Sequence, residues 1–362
     1  MRSIRISISY ITVTLICVGV VMVFSSSSLY ALKELNNSAF FLQRHLFFLA
    51  VGLILMFSVM AIDYREIRKY TKPLLFIALV MLVLVLVPGI GKEISGARRW
   101  FRIGPFSFQP SEFAKIAVIL YVADFLSRKQ NKIRSFREGF LPLMFLLGVF
   151  CFLIHEQPDL GTTVFTALIV FVMLFVAGGR IAHLAVVFLA SLPALYFLIM
   201  RVPYRAARIM AFLDPWQDSR GIGFQLTQSQ IALGSGGIFG VGLGKSMQKL
   251  FYLPAAHTDF VFSIIGEELG LVGTLTIIVL FTLLIWQGAR IAKRTDDSFG
   301  YFVSVGVVAM IGLQAVINIG VSIGAFPTKG LPLPFISYGG SALIFDMVAI
   351  GLLLNISRTE EL

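Results

Sequence analysis

Leu253–Gly273 reads LPAAHTDFVFSIIGEELGLVG, and it carries ionisable groups straight into an apolar run that continues to Trp286. His257 and Asp259 stand at the mouth of that run, and Glu267 and Glu268 follow roughly two turns inside. A carboxylate in hydrocarbon is costly unless it meets a polar cavity or a partner, so such groups mark functional positions. The stretch points to chemistry or transport at a membrane face.

The rest of the chain supplies the membrane. Hydrophobic residues make up 57% of the 362 positions and charged ones 14%. A soluble chain could not hide that much apolar surface. One span needs about 20 apolar residues. Ten candidates occur, near 8–30, 45–62, 72–88, 111–127, 139–155, 161–178, 181–200, 260–288, 301–323 and 340–356. The expectation is an all-α polytopic membrane protein: ten transmembrane helices forming one integral membrane domain over 1–362, with a long extracytoplasmic loop between helices 7 and 8. The first span is expected to be retained, since it is long and lacks a small-x-small cleavage site. Cys17 and Cys151 both fall inside spans, so neither a disulfide framework nor a thiolate metal site is expected.

Arg and Lys set the orientation. Arg2 and Arg5, Arg65 to Lys72, Arg128 to Arg137, Arg180, Arg290 to Arg294, and Arg358 all occupy alternate connections. The positive-inside rule therefore places both termini in the cytoplasm. Two basic loops break the pattern on the other face. One holds Lys92, Arg98, Arg99 and Arg102; the other holds Arg201, Arg205, Arg208, Arg220, Lys245 and Lys249. Cations there gain nothing for topology, so they answer either to a phosphate-bearing substrate or to anionic lipid headgroups. The second loop has eight glycines between Gly221 and Gly244. That excludes a stiff helix throughout and suits a re-entrant or interfacial segment.

Four motifs could carry chemistry. Asp259 is either an N-cap or a general base, and partial burial would strengthen it as a base. On a regular helix Glu267 lies about 80° and Glu268 about 180° round from it, so at least one holds a neighbouring helix instead. His257 either shapes the site or sits at the interface. With no second ligand at the right spacing, a preformed zinc site is not expected. In GARRWFRIGPFSFQPSEFAK, Gly96–Lys115, Glu112 and Lys115 are one turn apart, which permits an ion pair at membrane depth. That pair serves helix packing or a catalytic cavity. In HEQPDLGTT, His155–Thr163, Asp159 fits a helix cap better than a cation site. In PTKGLPLPFISYGGSA, Pro327–Ala342, Lys329 stands in backbone held irregular by prolines and glycines, which normally lines a cavity. The alternative is a lysine snorkelling to the surface.

These four segments, in this order on a ten-span frame, resemble the SEDS family of shape, elongation, division and sporulation proteins, from about residue 8 to residue 356. The segments PAAHTDFVFSIIGEELG and PFISYGGSA are more similar to its division branch than to its elongation branch. Ala255 departs from a glutamate found in many members. The resemblance implies a peptidoglycan glycosyltransferase that polymerises lipid II, a disaccharide-pentapeptide on undecaprenyl pyrophosphate. It would act at the outer face of a bacterial cytoplasmic membrane, at the division septum. The implied partners are a class B penicillin-binding protein transpeptidase, other division proteins and membrane lipids, with no nucleic acid. The family's essential aspartate maps onto Asp259 and its cavity lysine onto Lys329.

The main expectation is then inverting glycosyl transfer. Asp259 is the base, Lys329 with Arg98, Arg99 or Arg102 steadies the pyrophosphate, and His257, Glu112 and Lys115 complete the substrate-binding set. A divalent cation, magnesium or manganese, is compatible with this scheme; no protein metal site is assigned. The rivals are a lipid II flippase, an elongation-type polymerase and a non-catalytic scaffold. Clustering of Asp259, Lys329 and the surplus cations on one face counts against transport.

Overall fold

The computed structural model describes residues 1–94, 96–104, 106–250 and 253–361. Thirteen α-helices appear among them: α1 (Arg2–Leu35), α2 (Phe40–Ala61), α3 (Tyr64–Lys69), α4 (Thr71–Leu84), α5 (Pro110–Lys129), α6 (Leu141–His155), α7 (Leu160–Val176), α8 (Ile181–Met200), α9 (Pro203–Leu213), α10 (Phe224–Ser235), α11 (Val261–Arg294), α12 (Ser298–Ser322) and α13 (Gly340–Thr359). Seven helical segments are long and apolar enough to cross a membrane: α1, α2, α6 with its preceding π-turn, α8, α11, α12 and α13. The other three expected spans fall on α4 (14 residues), α7 (17 residues) and α5, which carries Glu112, Lys115 and Asp124. Each of these is shorter or more charged than a helix that spans unaided.

Burial sorts the helices into layers. In α13, 89% of the most apolar window is buried in the protein, against 61% in α12 and 6% in α8. α13 is therefore the central post, with α2 and α12 against it, while α8 turns nearly all its apolar surface to lipid.

One element departs from the all-α expectation. β1 (Gly91–Ile94), β2 (Ala97–Ile103) and β3 (Phe106–Phe108) form an antiparallel sheet in chain order. Alternation in β2 sends Arg98, Trp100 and Arg102 to one face and Arg99 and Phe101 to the other. Phe106 stacks on Phe47 at 4.0 Å and Phe108 meets Phe345 at 6.0 Å, so aromatic rings fasten the sheet to α2 and α13.

α11 bends at Gly270, whose φ of 67° and ψ of −161° lie where side chains are strained. In a straight helix the Leu271 and Val272 amides would pair with the Glu267 and Glu268 carbonyls. Here Leu271 N–H donates to Gly237 O (2.9 Å) and Val272 N–H to Ile238 O (3.2 Å). The two carbonyls accept instead from Val241 (2.9 Å) and Gly242 (3.0 Å). The glycine-rich segment thus packs into the kink and satisfies the backbone groups it exposes, as membrane depth requires.

The carboxylates of the same two glutamates hold the next few residues. Glu267 accepts from the Ser246 hydroxyl and from the Met247 amide (2.8 Å). Glu268 pairs with Lys249 (2.8 Å) and accepts from the Ser25 hydroxyl of α1 (2.7 Å). Lys249 and Glu268 are sealed, with side chains 4% and 0% exposed. Lys249 therefore leaves the set of cations in residues 201–258 available to a ligand.

Candidate functional site

α11 begins at Val261, with Phe260 in the capping position, so the N-cap role considered for Asp259 is not the one it plays. Asp259 belongs instead to a tight turn closed on Ala255. Ala255 adopts a left-handed φ of 56°, and its carbonyl accepts the amides of Thr258 (3.1 Å) and Asp259 (3.0 Å). The comparison of helix faces between Asp259 and the two glutamates consequently has no basis, because Asp259 is not on the helix.

Asn318 of α12 fixes this turn to the connection before α13. Its buried amide donates to the Asp259 carbonyl (2.9 Å) and to the Leu331 carbonyl (2.7 Å). The Asp259 carboxylate then faces Gly330, where an added methyl would stand 3.0 Å from Oδ2. Asp259 and Lys329 thereby belong to one locus, although 70 positions separate them in sequence. Burial pushes the Asp259 carboxyl up from 3.8 to about 6, with the Thr258 hydroxyl and the Arg208 guanidinium pulling partly back.

Lys329 lies across the start of α7. Its ammonium donates to the Gly161 carbonyl and sits 5.8 Å from the centre of the Phe165 ring. Burial lowers its pKa from 10.5 to about 7; Asp159 opposes the shift and Lys115 adds to it. Asp159 caps α7, accepting from the Thr162 amide (3.0 Å), as its spacing suggested. The expected Glu112–Lys115 pair is present at 2.7 Å, almost wholly buried, and the Lys115 ammonium approaches Phe165 from within the bundle at 5.1 Å.

The three arginines of β2 do not converge. Arg98 pairs with Glu93 across the hairpin (3.0 Å), and Arg102 bonds its own turn at Gly104 (3.2 Å). Arg99, on the opposite face, donates to the carbonyls of Gln157 (2.9 Å) and Pro158 and stands 3.8 Å from Asp159. It braces the turn on which Lys329 rests. His257 enters an aromatic cluster with Phe41 (4.7 Å), Tyr338 (5.8 Å) and Tyr30 (5.9 Å). Burial takes its imidazole down to about 4, which disfavours the charged form, and its carbonyl accepts the Tyr338 amide (2.9 Å). Among the described residues no three His, Cys, Asp or Glu side chains are grouped to hold a metal.

Sequence reasoning passed over Asn318, Gly161 and Phe165. Only Asn318 offered a local signal, an amide inside an apolar span.

Apolar helices enclosing a carboxylate and a lysine in their connections define an integral membrane protein with a polar site at one face. The chain belongs to the FtsW/RodA/SpoVE family of cell cycle proteins, which it matches over residues 6–362. The probable peptidoglycan glycosyltransferase FtsW of Geobacter metallireducens is 47% identical over 95% of this chain and 92% of its own length. Stage V sporulation protein E of Bacillus subtilis is also 47% identical, over 96% of this chain and 95% of its own. A solved structure described as the coordination of polymerization and crosslinking by a peptidoglycan synthase complex superposes with a TM-score of 0.79. It is 31% identical and covers 98% of this chain and 97% of that one. The rod shape determining protein RodA of Thermus thermophilus gives 0.72 at 29% identity, with the same coverage. The resemblance is thus to the division and sporulation branch more than to the elongation branch.

Proposed function

We propose that this protein is a peptidoglycan glycosyltransferase that polymerises lipid II at the outer face of the cytoplasmic membrane during septal wall synthesis. The observation that carries the reading is the Asp259 carboxylate, poised near neutrality by burial and held against the backbone beside Lys329. In the proposed step Asp259 takes the proton from the 4-hydroxyl of the acceptor sugar. That oxygen attacks the anomeric carbon of the donor with inversion, and the bond to the diphosphate breaks with its electron pair leaving on the diphosphate. The Lys329 ammonium faces that developing charge. Arg99 serves by holding the turn under Lys329, and Glu112, Lys115 and His257 by shaping the cavity. Arg98 and Arg102 are exposed or half-buried on the outer hairpin, where they attract an anionic substrate. A magnesium or manganese ion belongs to the proposal only as a counter-ion of the diphosphate, and no step is assigned to it.

The ten-span frame, with both termini in the cytoplasm and residues 201–258 outside, is part of the same proposal. So is a class B transpeptidase that crosslinks the product beside it, with other division proteins at the septum. The buried Glu112–Lys115 pair is what a lipid II transporter would also need. Yet Lys115 is only 1% exposed and closed off by Glu112 and Phe165, which favours a sealed packing element over a translocation path. The test is lipid II polymerisation by purified protein with its transpeptidase, read as glycan products on a gel. Asp259→Asn is expected to abolish product, and full activity in that variant refutes the base assignment.

A further inference from the structure

We infer that Gly161 is a positioning residue for Lys329: the absence of a side chain at the start of α7 is what lets the lysine lie flat there and aim its ammonium at the site. This rests on the glycosyltransferase reading only for its consequence in activity; the seat itself stands on geometry.

A methyl group built on Gly161 would collide with Cε of Lys329 and would also crowd its Cγ and Cδ at 2.8 Å. No other atom is among the three nearest, so the group that must yield is the lysine chain and not the backbone of the bundle. The Gly161 carbonyl accepts one of the three ammonium protons. Among the described residues that carbonyl is the ammonium's one hydrogen-bond partner, which leaves two N–H groups without a protein acceptor. The Phe165 ring, one turn further along α7, closes the seat from below.

Stability does not explain this placement. A cation beside the first turn of a helix opposes the positive end of its dipole. Lys115, against the same ring, adds like-charge repulsion, and of the charged groups acting on Lys329 Asp159 alone opposes that repulsion. Glycine is also a weaker helix former than alanine. A chain selected for stability alone would carry alanine at 161 and turn Lys329 out to water. An anionic group that needs two directed donors accounts for both choices.

The experiment uses the full chain with its transpeptidase and lipid II as the probe. Gly161→Ala is expected to lower kcat/KM between about tenfold and 10²-fold, as misplacement of a reacting group by about 1 Å does. Its thermal unfolding temperature should be unchanged or higher. In the Lys329→Ala background the same substitution should cost nothing further. Independently of turnover, methylation of Lys329 by formaldehyde and a borane, followed by peptide mass spectrometry, should be faster in Gly161→Ala than in wild type. Phe165→Leu, which leaves the glycine in place, should accelerate methylation too. Unchanged methylation in both variants overturns the seat, as does a Gly161→Ala loss that persists in full without Lys329. If Lys329→Ala polymerises lipid II normally while methylation responds as expected, the seat stands and the proposed role of Lys329 in catalysis falls.

Discussion

The proposed roles of Asp259 as base and Lys329 as cation predict a narrow pH dependence for this site, because burial moves the two groups toward each other. With Asp259 at about 6 and Lys329 at about 7, the fraction carrying both working charges peaks at about 0.6 near pH ~6.5 and drops to about a tenth at pH ~5 and pH ~8. The profile of kcat/KM, which reports the free enzyme, should therefore be a bell of those dimensions. The profile of kcat should share the acid limb and lose part of the basic one. A bound diphosphate beside Lys329 favours its charged form and moves that limb to higher pH. The deciding perturbation is Lys329→Arg, since a guanidinium stays charged throughout the range. Its activity will be lower wherever arginine fits the Gly161 seat poorly, so the shape is compared and not the height. Single-turnover polymerisation of lipid II between pH 5 and 9, with products resolved on gels, is the assay. The reasoning fails if Lys329→Arg declines above pH 7 as wild type does, or if the wild-type acid limb lies near the ordinary carboxylate value.

Two further perturbations test the frame around the site. Lys249→Met removes the cation that pairs with Glu268 in a sealed position and leaves it only the Ser25 hydroxyl, which should cost about 3–5 kcal/mol. Thermal unfolding in detergent should show the loss, and adding Glu268→Met should restore most of it. Gly270→Ala forces a side chain into left-handed backbone and drives a methyl against the Gly240 amide and the Ile238 carbonyl. A penalty on the order of 1–3 kcal/mol or more is expected, with faster hydrogen exchange at Val241 and Gly242. Exchange at wild-type rates would mean that the re-paired backbone does not depend on the kink.

Helix positions were legible because lipid demands long apolar runs: each of the ten expected runs overlaps a helix, although 72–88 outruns α4 and seven helical segments among the described residues are long and apolar enough to cross a membrane. The Glu112–Lys115 pair and the Asp159 cap were legible too, since both are set by spacing within one turn. What escaped was made by contacts distant in sequence. Gly161 and Lys329 are 168 positions apart, and nothing in either motif announces the other. The sheet at 91–108 was hidden because each strand is too short for its alternation to stand out among arginines and glycines. Which of Arg98, Arg99 and Arg102 would face the site stays open in the sequence, because the pleat that sends Arg99 one way and Arg98 and Arg102 the other belongs to a strand the sequence does not announce. The alternative of Asp259 as the cap of α11 followed the usual preference of a helix start, and the Ala255 turn overrode it.

The same shifts that would tune Asp259 and Lys329 for the proposed step should make their site a weak point of the fold. A carboxyl raised from 3.8 to about 6 contributes stability that is complete below 3.8 and lost as pH rises through 6. A lysine lowered from 10.5 to about 7 contributes stability that is complete above 10.5 and lost as pH falls through 7. Between pH 6 and 7 both groups hold the charge that burial disfavours, so the window in which the proposed chemistry is expected to peak is the one in which neither supports the fold. Each is half-buried, so the penalty is discounted for access to water to on the order of 1–3 kcal/mol. Asp259→Asn keeps the shape and removes the charge. It should therefore raise the unfolding temperature at pH 7 while abolishing polymerisation, and the gain should vanish at pH ~4, where the wild-type carboxyl is already protonated. A variant that is inactive and also less stable at pH 7 would mean that the ionised carboxylate is held by favourable contacts. It would then be an anchor for the turn, with no claim to be the base.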